Sequence, residues 1–144
     1  MLENRTFEVG DILFVLDNWR PYVVLMQAEI TSVNKKQERF TLKWNNKLYE
    51  INFSEYGRLI FGNQEEAMEV IKRLPKRYAI LYYVTETGNV IKDVCHGIYS
   101  VYDTETCKYD LVIRLDQEKE VSIDQIGKTL FYSEKAAKYC KVPP

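Results

Sequence analysis

The sequence predicts a mainly β (α+β) protein: two tandem SH3-like small β-barrel repeats, residues 1–75 and 76–144, each closed by a C-terminal helix. Three observations carry that expectation. The stretch Ile51-Asn52-Phe53-Ser54-Glu55-Tyr56-Gly57-Arg58-Leu59-Ile60-Phe61 matches Val121-Ser122-Ile123-Asp124-Gln125-Ile126-Gly127-Lys128-Thr129-Leu130-Phe131 at a constant offset of 70 residues. Upstream, Ala28-Glu29-Ile30-Thr31-Ser32-Val33 lies over His96-Gly97-Ile98-Tyr99-Ser100-Val101 at an offset of 68, so one structural unit is used twice. Aromatic residues make up 13 % of the chain, with eleven Tyr and six Phe, which favours strands over helices. Finally, each copy holds about five short strand-like runs, and a sheet that curls on itself leaves few open edges to pair with other chains. The alternative arrangement is one continuous sheet with both helices on one face.

In the first copy, Val9 to Leu16 is apolar and bounded by Gly10-Asp11 and Asp17-Asn18, which reads as a strand. Tyr22 to Val33 is a longer, β-branched run with a bend near its middle. Asn34-Lys35-Lys36-Gln37 is a polar turn. Phe40, Leu42 and Trp44 then alternate with Arg39, Thr41 and Lys43, the period of a half-buried strand. Asn45-Asn46 supplies a two-residue hairpin turn, because Asn accepts the left-handed conformation such a turn demands. Lys47 to Phe53 returns, and Arg58 to Phe61 forms a short closing strand after Gly57. Asn63 is a helix N-cap with Glu66 three residues on. Ala67, Val70, Ile71 and Leu74 share one helical face, Lys72 and Arg73 suit the C-terminal dipole, and Pro75 stops the helix.

The second copy replays the scheme. Ala79 to Val84 is a strand, Gly88-Asn89 a turn, and Val90 to Val101 a long strand. Lys108 to Leu115 and Glu120 to Ile123 are strands separated by the Asp116–Lys119 turn. Lys128 to Phe131 precedes a helix capped by Ser133, expected to run to about Lys141 before Pro143-Pro144. Gly57 and Gly127 fall at the corner before each closing strand, where a residue without Cβ permits positive φ. No Gly/Ser linker separates the copies at Leu74-Pro75-Lys76-Arg77.

Composition narrows the function classes. With 46 % hydrophobic and 28 % charged residues, the chain has enough apolar material to build a core. No apolar run reaches the roughly 18 residues of a membrane span, and Met1-Leu2-Glu3-Asn4-Arg5 does not open a signal peptide, so a cytoplasmic protein is expected. Net charge is −1, and the basic and acidic residues balance in both halves (10 against 11 over residues 1–74, 10 against 10 over 75–144). A dedicated nucleic-acid binder shows a basic excess on at least one domain. Cys95, Cys107 and Cys140 are an odd set without CxxC spacing, expected reduced and buried.

Nothing in the sequence assembles a catalytic set. Cys95 and His96, the only histidine, are adjacent, and adjacent side chains on a strand point to opposite faces, so they do not form a Cys–His pair. Zinc ligation through Cys95, His96 and Cys107 lacks a fourth ligand. There is no GxGxxG, GxxxxGK[ST], GxSxG or HExxH. The expectation is no enzyme, no cofactor and no metal.

Two patches carry binding instead. The turn Asp17-Asn18-Trp19-Arg20-Pro21-Tyr22 sets Trp19, Arg20 and Tyr22 at a hairpin tip, and Trp, Tyr and Arg dominate protein interfaces. The alternative is nucleic-acid binding by Lys35, Lys36, Arg39, Lys43, Trp44 and Lys47, a basic and aromatic cluster able to follow phosphates while stacking a base.

The string Gly127-Lys128-Thr129-Leu130-Phe131-Tyr132-Ser133-Glu134-Lys135-Ala136-Ala137 resembles a recurrent tail of small uncharacterised proteins of Firmicute phages and mobile elements, roughly G-K-T-V-F-x-T-x-E-E-A. Gly57 to Ala67 looks like the same tail and keeps its Glu65-Glu66-Ala67. The resemblance covers about eleven residues per copy, with an architectural role as strand, cap and helix. It implies the setting of accessory proteins that bind other proteins, among them anti-CRISPR inhibitors of host defence nucleases.

Overall fold

Alternation of buried and exposed residues decides most of the architecture, which is mainly β with several antiparallel sheets. The computed structural model describes residues 6–19, 21–116 and 119–139. In chain order the strands are β1 (Ile12–Trp19), β2 (Tyr22–Asn34), β3 (Arg39–Trp44), β4 (Lys47–Asn52) and β5 (Ile60–Phe61), followed by helix α1 (Gln64–Arg73). Then come β6 (Ile80–Val84), β7 (Val90–Val94), β8 (Ile98–Asp103), β9 (Lys108–Arg114), β10 (Glu120–Ser122) and β11 (Leu130–Phe131), followed by helix α2 (Glu134–Tyr139). Among the described residues no helix is long and apolar enough to cross a membrane.

The chain divides into two compact units, and the division does not follow chain order alone. One unit comprises Met1–Asp17, Val23–Arg73 and Ser100–Asp110; the other comprises Asn18–Tyr22, Leu74–Tyr99 and Leu111–Pro144. One boundary falls at Arg73–Leu74. The remaining boundaries assign two short segments, 18–22 and 100–110, to the unit built mostly from the other half of the sequence.

The first sheet runs β4-β3-β2-β1-β5. Its last strand lies beside its first, with Phe14 opposite Phe61 and Val15 opposite Ile60. The Asn45-Asn46 turn has φ of 53° and 60°, the left-handed pair that closes a two-residue hairpin between Trp44 and Lys47. The bend expected in β2 is a bulge between Ile30 and Ser32. Phe40, Leu42, Trp44, Ile51, Ile30, Leu16 and Phe61 fill the core of this unit, joined by Tyr109. Phe7 stands edge-on to Phe40 at 5.0 Å and beside Phe53 at 4.9 Å.

α1 begins as expected. The Glu66 amide donates to the Asn63 side-chain oxygen at 2.8 Å, and the Asn63 side-chain amide returns a bond to the Glu66 carboxylate at 2.9 Å. The acid thus meets the cap's side chain, a variant of the box in which it meets the cap's backbone. Ala67 is buried, with Val70 and Ile71 half-buried on the same face.

Two further sheets have three strands each, β10-β9-β8 and β11-β6-β7, and the second unit holds β6, β7, β10 and β11 with residues 98–99 of β8 and 111–114 of β9. Leu81, Ile98, Leu111, Ile113, Leu115, Leu130 and Phe131 form its core. Ser133 caps α2 by accepting from the Ala136 amide at 3.1 Å. Cys140, Lys141 and the Pro143-Pro144 stop lie outside the described residues.

Matched local features recur at the matched sequences. Single 3₁₀ turns at Phe53–Glu55 and Ile123–Gln125 precede Gly57 and Gly127, whose φ values are 90° and 85°. Each glycine amide donates to the carbonyl of the following strand, Gly57 to Ile60 at 2.7 Å and Gly127 to Leu130 at 2.8 Å. One expectation is corrected: the long strand Val90–Val101 is broken at Cys95-His96-Gly97 into β7 and β8. Gly97, at φ +131°, adopts a conformation that side chains other than hydrogen rarely accept, and the strand cannot continue through it.

Candidate functional site

The β1–β2 connection presents the first candidate. Trp19 ends β1 and Tyr22 begins β2. Trp19 is 72 % exposed and Tyr22 57 %, whereas Pro21 between them is buried. The Pro21 carbonyl accepts a hydrogen bond from the Ile98 amide at 3.0 Å, so the connection is anchored at its centre and exposed on both flanks. Arg20 lies outside the described residues.

The basic cluster is only partly assembled. Lys35, Lys36, Lys43 and Lys47 are exposed. Arg39 is half-buried, donates to the Asn52 side chain at 3.2 Å and pairs with Glu50 at 3.8 Å. Trp44 corrects the expectation: it is 3 % exposed and stacks on Tyr49 at 3.8 Å with planes 15° apart. Its indole N–H donates to Asp17 at 2.9 Å. The reason is strand alternation, which puts Trp44 with Phe40 and Leu42 on the core face and Arg39 and Lys43 on the other. Its ring is not available to stack a base.

Around Trp44 stands an aromatic group in which Tyr109 is buried and Tyr49 and Tyr102 are half-buried. Tyr109 stands edge-on to Trp44 at 5.6 Å, and Tyr102 edge-on to Tyr49 at 5.2 Å. The Tyr109 hydroxyl donates to the Leu16 carbonyl at 2.7 Å and to Asp17 at 3.2 Å. Tyr102 closes the edge of β4: its hydroxyl donates to the Glu50 carbonyl at 2.8 Å and accepts from the Glu50 amide at 2.9 Å. Burial pushes the hydroxyl pKa of Tyr49, Tyr102 and Tyr109 upward; the Asp17 carboxylate adds to this for Tyr49 and Tyr109. Arg58 bridges Glu55 and Asp110 and donates to the Tyr109 carbonyl at 3.2 Å.

Cys95 and His96 go separate ways. Cys95 is buried, its thiol 3.9 Å from the Gly97 carbonyl, and burial raises its pKa, which disfavours the thiolate a nucleophile needs. His96 Nε2 bonds the Asp116 carboxylate with its side chain 41 % exposed. That bond, then the Asp93 side chain, holds the Asp116 carboxyl below the usual carboxylate range. The His96–Asp116 partnership spans 20 residues and left no signal in the sequence. Among the described residues no group of three His, Cys, Asp or Glu could hold a metal. Cys107 is buried and free, and Cys140 lies outside the described residues.

One further concavity, of about 560 Å³, opens in the second unit between Tyr83–Glu86 and the segment Lys119–Ser122. Lys119 Nζ sits 3.4 Å over the Tyr83 ring at its wall. The Thr85 and Thr129 hydroxyls along it are engaged, with Thr87 and Gln125 respectively. No protein-family model matches the chain, and no curated protein matches it.

Proposed function

We propose that this chain is a non-enzymatic, protein-binding accessory protein of a phage or mobile element, with Trp19, Arg20 and Tyr22 as its partner contacts. On this reading it is built from two SH3-like barrel repeats, each closed by a helix. The repeated 3₁₀ turn, positive-φ glycine and two-residue closing strand support that architecture. The observation that carries the function is the exposure of Trp19 and Tyr22 on either side of buried Pro21. Burying a large apolar side chain is worth about 1.5–3 kcal/mol, so two aromatics left in water hold free energy that a partner surface recovers. Trp and Tyr also supply large contact area for few rotatable bonds. A host defence nuclease is one partner class that the tail resemblance admits.

The test is capture from a bacterial lysate with the parent protein as bait, followed by titration of the captured protein. Trp19→Ala/Tyr22→Ala should weaken binding by about 2 kcal/mol or more, roughly 30-fold, with little change in thermal midpoint because both rings are exposed. A folded double variant that binds as tightly as the parent would remove the reading. The exposed lysines Lys35, Lys36, Lys43 and Lys47 leave the nucleic-acid alternative a distinct signature. Binding of short DNA or RNA through them would weaken steeply with salt, the log–log slope approaching about −0.9 per phosphate contacted in duplex DNA.

A further inference from the structure

The break between β7 and β8 is positioned against the candidate binding loop. Gly97 lies directly under Pro21: a Cβ built on Gly97 would stand 2.3 Å from the Pro21 Cβ and 3.2 Å from its carbonyl oxygen. Carbon atoms in ordinary contact are about 3.5–4.0 Å apart, so no residue with a side chain fits there without displacing Pro21. The next amide, Ile98, donates to the Pro21 carbonyl at 3.0 Å. Gly97 is itself fixed from behind. The Arg114 amide donates to its carbonyl at 2.9 Å, and the His96 amide donates to the Arg114 carbonyl at 2.7 Å. The His96 side chain then bonds Asp116, so the segment Cys95–Gly97 is tied to residues 114–116 at three points.

We infer that Gly97 is a positioning residue for the binding loop: it makes the seat into which Pro21 packs, and that seat holds Trp19 and Tyr22 in their binding arrangement before any partner arrives. The inference rests on the reading of Trp19 and Tyr22 as partner contacts, but the seat is a physical claim with its own measurement. Two rings flanking an untethered turn would have to be ordered on binding, at a cost in affinity that pinning Pro21 reduces. If loosening leaves the competent arrangement populated only about a tenth of the time, apparent affinity falls about tenfold with every contact residue intact.

The experiment is a double-mutant cycle of Gly97→Ala and Pro21→Gly, with both tryptophans labelled as 5-fluorotryptophan. Trp44, buried in the other unit, reports on whether the fold persists; Trp19 reports on the loop. If the seat exists, Gly97→Ala lowers the thermal midpoint much less in the Pro21→Gly background than in the parent, because the shortest clash, 2.3 Å to the Pro21 Cβ, is gone. Equal penalties in both backgrounds would mean that Gly97 serves only its own positive φ, and would overturn the inference. Should Gly97→Ala fail to fold in the parent background, recovery in the double variant supports the seat and failure there sinks it. Pro21→Gly alone should move the Trp19 fluorine signal towards the free amino-acid position and leave Trp44 unmoved; an unmoved Trp19 overturns the inference. No partner takes part in these readouts. If instead Trp19→Ala/Tyr22→Ala leaves binding of the captured protein intact while the cycle shows coupling, the contact assignment fails and the seat stands.

Discussion

Phe61→Ala is expected to destabilise the protein by about 3–5 kcal/mol, and Phe131→Ala by a similar amount, the lost transfer energy of a ring plus the cavity it leaves. The two rings are 3 % and 5 % exposed. Each sits on a closing strand only two residues long, with Phe61 opposite Phe14 and Phe131 opposite Tyr82. So short a ladder holds few hydrogen bonds, and the side chain does most of the fastening. Each ring also lies just ahead of a helix start, two residues before Asn63 and Ser133, so loss of the ring loosens the entry into α1 or α2. For a chain of this size, 1 kcal/mol corresponds to a shift of a few degrees in thermal midpoint, giving a fall of roughly 10 °C for either substitution. Thermal and urea melts of the two variants check this. A negligible change in both would mean that the closing strands are not held by these rings.

Most of the strands were legible because their information is local. Alternation located β3 and β4, the Asn45-Asn46 pair located their turn, and the Asn63/Glu66 and Ser133 signals located both helix starts. The same alternation already placed Trp44 with Phe40 and Leu42. Grouping it with the lysines followed composition where periodicity was the better guide. What the sequence did not disclose is long-range. Asp17 serves both Trp44 and Tyr109, partners 27 and 92 residues away, and nothing at position 17 marks it as an acceptor for either. The break at Cys95–Gly97 was hidden because a lone glycine in the strand-like run Val90–Val101 does not disclose its φ of +131°, and Pro21, which it faces, lies far along the chain. The exposure of Trp19 was likewise undecided by sequence, since a tip aromatic folds inward or outward according to what the rest of the chain offers it.

Tyr109 shows how much of the first unit depends on such a contact. It is fully buried in the segment Ser100–Asp110, and its hydroxyl donates to the Leu16 carbonyl at 2.7 Å and to Asp17 at 3.2 Å. Tyr109→Ala should cost about 3–5 kcal/mol: a ring-sized cavity beside Trp44, plus the loss of the hydroxyl's bond to the Leu16 carbonyl. Tyr109→Phe keeps the ring and removes only the hydroxyl, so about 1–2 kcal/mol is expected at neutral pH. The two variants also differ from the parent in alkali, and the sign follows from linkage. Burial first, then the Asp17 carboxylate, raises the Tyr109 pKa far above the tyrosine range, while the unfolded chain ionises near 10. Above pH about 10 the native state therefore keeps a proton that the unfolded state gives up, and stability falls as pH rises. This hydroxyl's contribution is fully present below pH about 10 and declines by up to about 1.4 kcal/mol per pH unit above it. Urea midpoints measured at pH 8 and pH 11 should fall further for the parent than for Tyr109→Phe, which has no proton to lose at that site. Equal falls would show that Tyr109 ionises as freely in the native state as in the unfolded one, contrary to its burial and its bond to Leu16.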